Sequence, residues 1–168
     1  MSERELDALA ARVGERLHAA GRRLATAESC TAGWIAKAVT DIAGSSAWFE
    51  CGYVTYSDAA KQRDLGVAGH TLAEFGAVSE QTAREMAGGA LRVPGVSVAI
   101  AVTGIAGPDG GTPAKPVGTV WFCAAARLAA GASVLAERQQ FPGDRVAVRG
   151  RAVRHALEML LRLPLEGA

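Results

Sequence analysis

Val96-Ser-Val-Ala-Ile-Ala-Val102 is an almost unbroken run of small and β-branched apolar residues. A strand wetted on one face alternates apolar with polar residues, whereas one covered on both faces does not. The run follows the Pro94-Gly95 break, and it predicts a central strand with helices packed on both sides. A glycine-rich loop comes next, from Thr103 to Gly118. Beyond it, Gly118 to Ala126 and Ser133 to Phe141 read as two strands joined near Ala130-Gly131, hence an antiparallel pair.

Upstream of the run, helical and strand patterns alternate. Ser2 and Glu5 form a capping-box pattern, and Leu6, Leu9, Val13 and Leu17 recur at helical spacing, so a first helix reaches about Gly21. Leu24 to Thr26 is a short strand. Thr31 to Asp41 reads as a helix closed by Gly44, which puts Ala32 in its first turn. Phe49 to Tyr56 is β-like. Ser57 caps a short helix through Leu65, and Ser79 caps a longer one through about Leu91, with a loop holding His70 between them. Asp144 caps the last helix, whose buried stripe is Val146, Val153, Leu157 and Leu160. The order predicts a three-layer α/β/α sandwich with a mixed, mostly parallel sheet, as one domain over residues 1–168.

Composition narrows the functional classes. Of 168 residues, 49% are hydrophobic, which excludes a disordered chain. The net charge of +1 is spread along the sequence, so no nucleic-acid footprint is expected. The longest apolar runs are too short to cross a bilayer, and the polar start, Met1-Ser-Glu-Arg-Glu, is not that of a signal peptide. The three cysteines, Cys30, Cys51 and Cys123, are widely spaced. They read as free thiols in a cytoplasmic protein and offer no zinc pair. No metal and no cofactor are expected. His18, His70 and His155 read as structural.

In an open α/β sheet, ligands bind beyond the carboxyl ends of the strands. Ser29, Tyr56 and Thr103 each follow a predicted strand, so parallel strands would deliver all three to one edge. A serine hydroxyl attacks a carbonyl only when a base takes its proton. Ser29 is therefore either a nucleophile or simply the cap of the helix that follows. Cys30 is a rival nucleophile without a histidine partner, or a core residue. Lys61 lies four residues beyond Ser57, on the same face of a short helix. It is either a desolvated, neutral base or an ordinary surface lysine. Tyr56 is a proton shuttle, a partner of the lysine, a surface for a ring, or a strand-end core aromatic. Glu28 could orient Lys61 or a substrate. The loop after Thr103 carries Gly104, Gly107, Gly110 and Gly111, with Pro108, Pro113 and Pro116 as stiffeners. Its amides could converge on an anion, yet it matches neither a Walker loop nor a dinucleotide fingerprint. Lys115 and Arg145 are phosphate partners or plain surface charges.

Taken together, Ala27-Glu-Ser-Cys-Thr-Ala-Gly33, Gly44-Ser-Ser46, Tyr56-Ser57 with Lys61, Leu65-Gly-Val67, Gly76-Ala-Val-Ser79, Gly104-Ile-Ala-Gly-Pro-Asp-Gly-Gly111, Lys115-Pro-Val-Gly-Thr-Val120 and Phe141-Pro-Gly-Asp-Arg145 resemble the CinA C-terminal domain family. They span nearly the whole chain in the family's order. Ala32 departs from the family motif, which most often has glycine there. The resemblance implies an amidohydrolase that converts nicotinamide mononucleotide to nicotinic acid mononucleotide and ammonia. It further implies a dyad of Ser29 and Lys61, with Tyr56 close by. The matched stretches supply Glu28, Cys30, Thr31, Gly33, Ser46, Thr103, Gly104, Gly107, Gly111, Lys115 and Arg145 as substrate contacts. The expected partner is a small nucleotide, and a homo-oligomer is compatible with this reading. Two other readings stand beside it: a nucleotide-binding module without turnover, and an amidase or esterase acting on another small substrate.

Overall fold

In the computed structural model, which describes residues 3–129 and 131–166, the opening stretch is the middle of a five-stranded sheet. Successive strands and helices are α1 (Glu3–Ala19), β1 (Leu24–Glu28), α2 (Trp34–Thr40), β2 (Phe49–Val54), α3 (Asp58–Leu65), α4 (Gly69–Phe75), α5 (Glu80–Ala90), β3 (Val98–Gly104), β4 (Thr119–Leu128), β5 (Gly131–Gln140) and α6 (Arg145–Arg162). A single 3-10 turn, Ser45–Ala47, precedes β2. The sheet order is β2-β1-β3-β4-β5. β1 pairs in parallel with both β2 and β3, while β3–β4 and β4–β5 are antiparallel. The sheet is thus mixed, and only β4 runs against the other strands.

β3 explains why there are two layers of helices. Val98, Ile100 and Val102 enter one core with residues of α1, α2 and α6. Ala99 and Ala101 enter the other, with Ala83, Met86, Ala87 and Ala90 of α5. Small residues on the second face let α5 approach closely. Gly89 touches α3: a Cβ there would stand 2.1 Å from the Leu65 carbonyl oxygen.

The connection from β1 to β2 runs through α2 on one face, and that from β2 to β3 runs through α3, α4 and α5 on the other. The chain therefore departs to opposite sides of β1, which makes its carboxyl end the topological switch point at which such sheets bind ligands. Ser29 is the first residue beyond β1.

Several expectations need correction. The region of His70 is helical, not a loop: α4 starts there without a capping side chain of its own. Its free amide at Ala68 donates to Glu85 on α5 (2.7 Å). Val146 is 65% exposed and not part of the α6 stripe, which starts at Val148. The helix expected from Thr31 starts only at Trp34, and Ala32, at φ 50, is in the left-handed region and outside the helix. The capping box at Ser2 and the turn residue Ala130 lie outside the described residues. Ser57, Ser79 and Asp144 do cap α3, α5 and α6, accepting from the amides of Ala60, Thr82 and Ala147. None of the helices among the described residues is long and apolar enough to cross a membrane.

Candidate active site

The register places the carboxyl ends of three strands side by side: Glu28 faces Val54 on β2 and Val102 on β3. Ser29 is held there by its own amide, which donates to the Val102 carbonyl (3.0 Å). The Lys61 side chain comes from α3 and is buried. Its Nζ lies 3.1 Å from Ser29 Oγ, 2.9 Å from the Thr55 carbonyl oxygen and 3.4 Å from that of Tyr56. Burial pushes its pKa below the ordinary lysine range, against smaller opposing effects of Asp58 and Cys30. The reading of Lys61 as a surface charge is thereby excluded.

The turn from Ser29 to Gly33 is tight. Ala32 donates to the Ser29 carbonyl (3.1 Å) and Trp34 to that of Thr31 (3.2 Å). Ala32 at φ 50 and Gly33 at φ 89 are both left-handed, a conformation that costs a residue with a Cβ about 1–2 kcal/mol. Glu28 is fully buried beneath the turn, and its carboxylate accepts from the amides of Gly33 (3.1 Å), Ile35 (3.0 Å) and Ala36 (2.9 Å). It caps α2 and contacts neither Lys61 nor an open surface, which corrects the expectation that it orients the lysine or a substrate. Cys30 points into the core, and burial pushes its thiol up to about 12, so it stays protonated at neutral pH. Its side chain offers neither a thiolate nor an exposed surface. Among the described residues, no backbone carbonyl accepts from the amides of Cys30 or Thr31. Both amides belong to the turn that directly follows Ser29.

Tyr56 is 61% exposed and is not a core aromatic. Its hydroxyl accepts from Arg145 Nη2 (2.9 Å), so only its carbonyl reaches Lys61. Arg145 Nη1 donates to the Gly107 carbonyl (2.9 Å), tying Tyr56 to the glycine loop. That loop closes on itself through Ile105 to Thr119 and Gly118 to Ile105 bonds. Among the described residues, no backbone carbonyl accepts from the amides of Ala106, Gly107, Asp109, Gly110 or Gly111. Gly104 and Gly111 sit against neighbouring backbone, where a Cβ would lie 2.8 Å from the Thr119 carbonyl oxygen and from the Val117 nitrogen, respectively. Neither position has room for a Cβ. Thr103 donates to the Ala77 carbonyl (2.7 Å) and Lys115 to that of Phe75 (2.7 Å), so both brace the loop before α5. Ser46 is not brought in. It lies in the turn before β2, at the amino edge of the sheet, whereas Ser29 is at the carboxyl edge. Arg149 on α6, not singled out in the sequence, donates to the Thr31 carbonyl (3.1 Å). Its spacing of four from Arg145 was the available signal.

The chain is similar over nearly its whole length to known proteins of about the same length. A nicotinamide-nucleotide amidohydrolase PncC of Enterobacter agglomerans is 55% identical over 162 residues, covering 96% of this chain and 97% of the relative. The protein of that name in Escherichia coli strain K12 is 52% identical over 160 residues, with 95% of each chain covered. The crystal structure of the competence/damage inducible protein CihA of Agrobacterium tumefaciens superposes with a TM-score of 0.90 at 46% identity, covering 96% of each chain. The competence damage-inducible protein A (ComA) of Klebsiella pneumoniae superposes with a TM-score of 0.88 at 44% identity, covering 94% of this chain and 95% of the other. Residues 6–163, from the first apolar position of α1 to the end of α6, match the CinA C-terminal domain, and the chain belongs to that family.

Proposed function

We propose that the protein hydrolyses the carboxamide of a nicotinamide nucleotide, nicotinamide mononucleotide being the expected substrate, by a Ser29/Lys61 dyad through an acyl-enzyme. The observation that carries this reading is the buried Lys61 Nζ, 3.1 Å from Ser29 Oγ and bonded to two backbone carbonyls. A neutral amine has two N–H donors and one lone pair. With the donors on the Thr55 and Tyr56 carbonyls, the lone pair faces the Ser29 hydroxyl. The relatives named nicotinamide-nucleotide amidohydrolase support the substrate class.

Water is the one reactant needed besides the carboxamide. Lys61 takes the Ser29 proton as Oγ bonds to the carboxamide carbon, and the amides of Cys30 and Thr31 receive the oxyanion. The C–N bond then breaks, and Lys61 returns its proton to the leaving nitrogen, releasing ammonia. Water gives a proton to Lys61 and attacks the ester carbon. The C–Oγ bond breaks, Ser29 recovers its proton from Lys61, and the acid leaves. Arg145 and the unpaired amides of the glycine loop are the candidate partners of the ribose phosphate. Lys115, already bonded to Phe75, stiffens that wall.

The test is ammonia release from nicotinamide mononucleotide by the purified protein, compared with Ser29→Ala. The expected result is turnover by the wild type and none above background by a folded Ser29→Ala that still binds substrate. A folded wild type that binds the nucleotide without releasing ammonia would leave a binding module, and turnover of other small amides alone would shift the substrate.

A further inference from the structure

Arg149 is unused by the dyad, yet it touches the turn that carries the nucleophile. It leaves α6 one helical turn beyond Arg145 and on the same side. Its Nη2 donates to the Thr31 carbonyl (3.1 Å), and its guanidinium carbon lies 5.5 Å from the centre of the Trp34 ring. Its Nε is buried without a partner among the described residues, and so is Thr31 Oγ1. A buried donor without an acceptor costs about 1–3 kcal/mol, so this placement is a poor way to stabilise the fold. The turn it meets is costly as well. Ala32 and Gly33 are both left-handed, and two local bonds, Ala32 to Ser29 and Trp34 to Thr31, close it. Thr31 lies two residues beyond Ser29 in this turn, its amide has no backbone acceptor among the described residues, and its carbonyl is the group that Arg149 holds.

We propose that Arg149 is a positioning residue for the nucleophile: clamped between the Thr31 carbonyl and the Trp34 ring, it fixes the direction of the Cys30 and Thr31 amides and of Ser29 Oγ. With Arg145 on Tyr56 and Gly107, it makes α6 a strut across the loops that follow β1, β2 and β3. The inference rests on the reading of Ser29 as nucleophile. Its action is on the transition state, because a misdirected donor weakens the oxyanion interaction without touching the bound nucleotide.

The experiment compares wild type, Arg149→Met and Arg149→Lys in kcat and KM for ammonia release, and in the rate at which a fluorophosphonate labels Ser29. Displacements of an ångström at a reacting centre cost about 10²-fold, so Arg149→Met should lose about tenfold to a hundredfold in kcat while KM hardly changes. Labelling should slow in parallel. Arg149→Lys, which keeps one donor for the Thr31 carbonyl, should recover part of both. The acidic limb of the pH profile should stay in place, because Lys61 is untouched. Unchanged kcat and labelling in Arg149→Met overturn the proposal. So does a rise in KM with kcat preserved, which would make Arg149 a substrate contact, and so does a loss that merely follows the unfolded fraction. If Arg149→Met does not fold, Arg149→Lys decides, and a wild-type kcat there overturns the clamp. A wild type that neither labels nor releases ammonia refutes the dyad, and the role of Arg149 falls with it. An active wild type beside an unimpaired Arg149→Met refutes that role alone.

Discussion

Ser29 and Cys30 are adjacent, and the backbone between them sends one side chain to Lys61 and the other into the core. Cys30→Ala should therefore keep most of the ammonia-releasing activity; a dead Cys30→Ala beside an active Ser29→Ala would reverse the assignment of nucleophile. Lys61 gives a sharper test. Only its neutral form can accept a proton, so the rate should fall as pH drops through its pKa, which burial places below the ordinary lysine range. Lys61→Arg keeps the charge but cannot act as a base, and should lose about 10²–10⁴-fold in kcat. A near wild-type rate with the same pH profile would make Lys61 a mere charge. The pairing of Ser29 with Lys61 was legible from the family resemblance, and from a serine after one strand and a lysine on the short helix that follows another. Its neighbours were less so. Glu28 was recognised as a strand-end carboxylate, but its bonds go to amides five to eight residues on, a matter of how the turn folds back. Ala32 was assigned to the helix because alanine seldom adopts a positive φ; the carboxylate of Glu28 on Gly33, Ile35 and Ala36 delays the helix until Trp34.

Among the elements, those with their own punctuation were readable. Ser57, Ser79 and Asp144 are side-chain caps visible in the sequence, and α3, α5 and α6 begin where these predict. α4 was missed because its cap is remote: Glu85 of α5 accepts from both the Ala68 amide and the Thr71 hydroxyl (2.6 Å). The contact between α3 and α5 was likewise invisible, since it needs Gly89 under the Leu65 carbonyl. That contact seats the helix that carries Lys61. Gly89→Ala should overpack it, lowering stability by about 1–3 kcal/mol, and should also reduce kcat in the fraction that stays folded. Thermal unfolding together with active-site titration would separate the two effects. A variant as stable and as fast as wild type would show that α3 can shift without moving Lys61.

For the whole molecule, the Val96–Val102 run foretold a strand covered on both faces, and the alternation of elements foretold the layers. It could not supply the strand order, which depends on which side of β1 each crossover passes. Ser46, matched by motif, sits at the opposite edge because it precedes β2, which runs parallel to β1. Among the described residues, no group of three or more His, Cys, Asp or Glu side chains gathers. Dialysis against a strong chelator should therefore leave the rate unchanged; a loss restored by added zinc or magnesium would count against the dyad. The antiparallel hairpin has a practical side. β4 starts beside Gly104, near the edge that carries Ser29, and runs away from it, so the paired Leu128 and Gly131 lie at the far end of the sheet. Residues on either side of this pair, Arg127 and Ala132, are exposed, and exposed tips tolerate insertions. A short biotin-acceptor peptide spliced there should let the enzyme be tethered to a bead with its mouth facing the bulk solution, as active as when free, so that nucleotide can be flowed past and ammonia collected downstream.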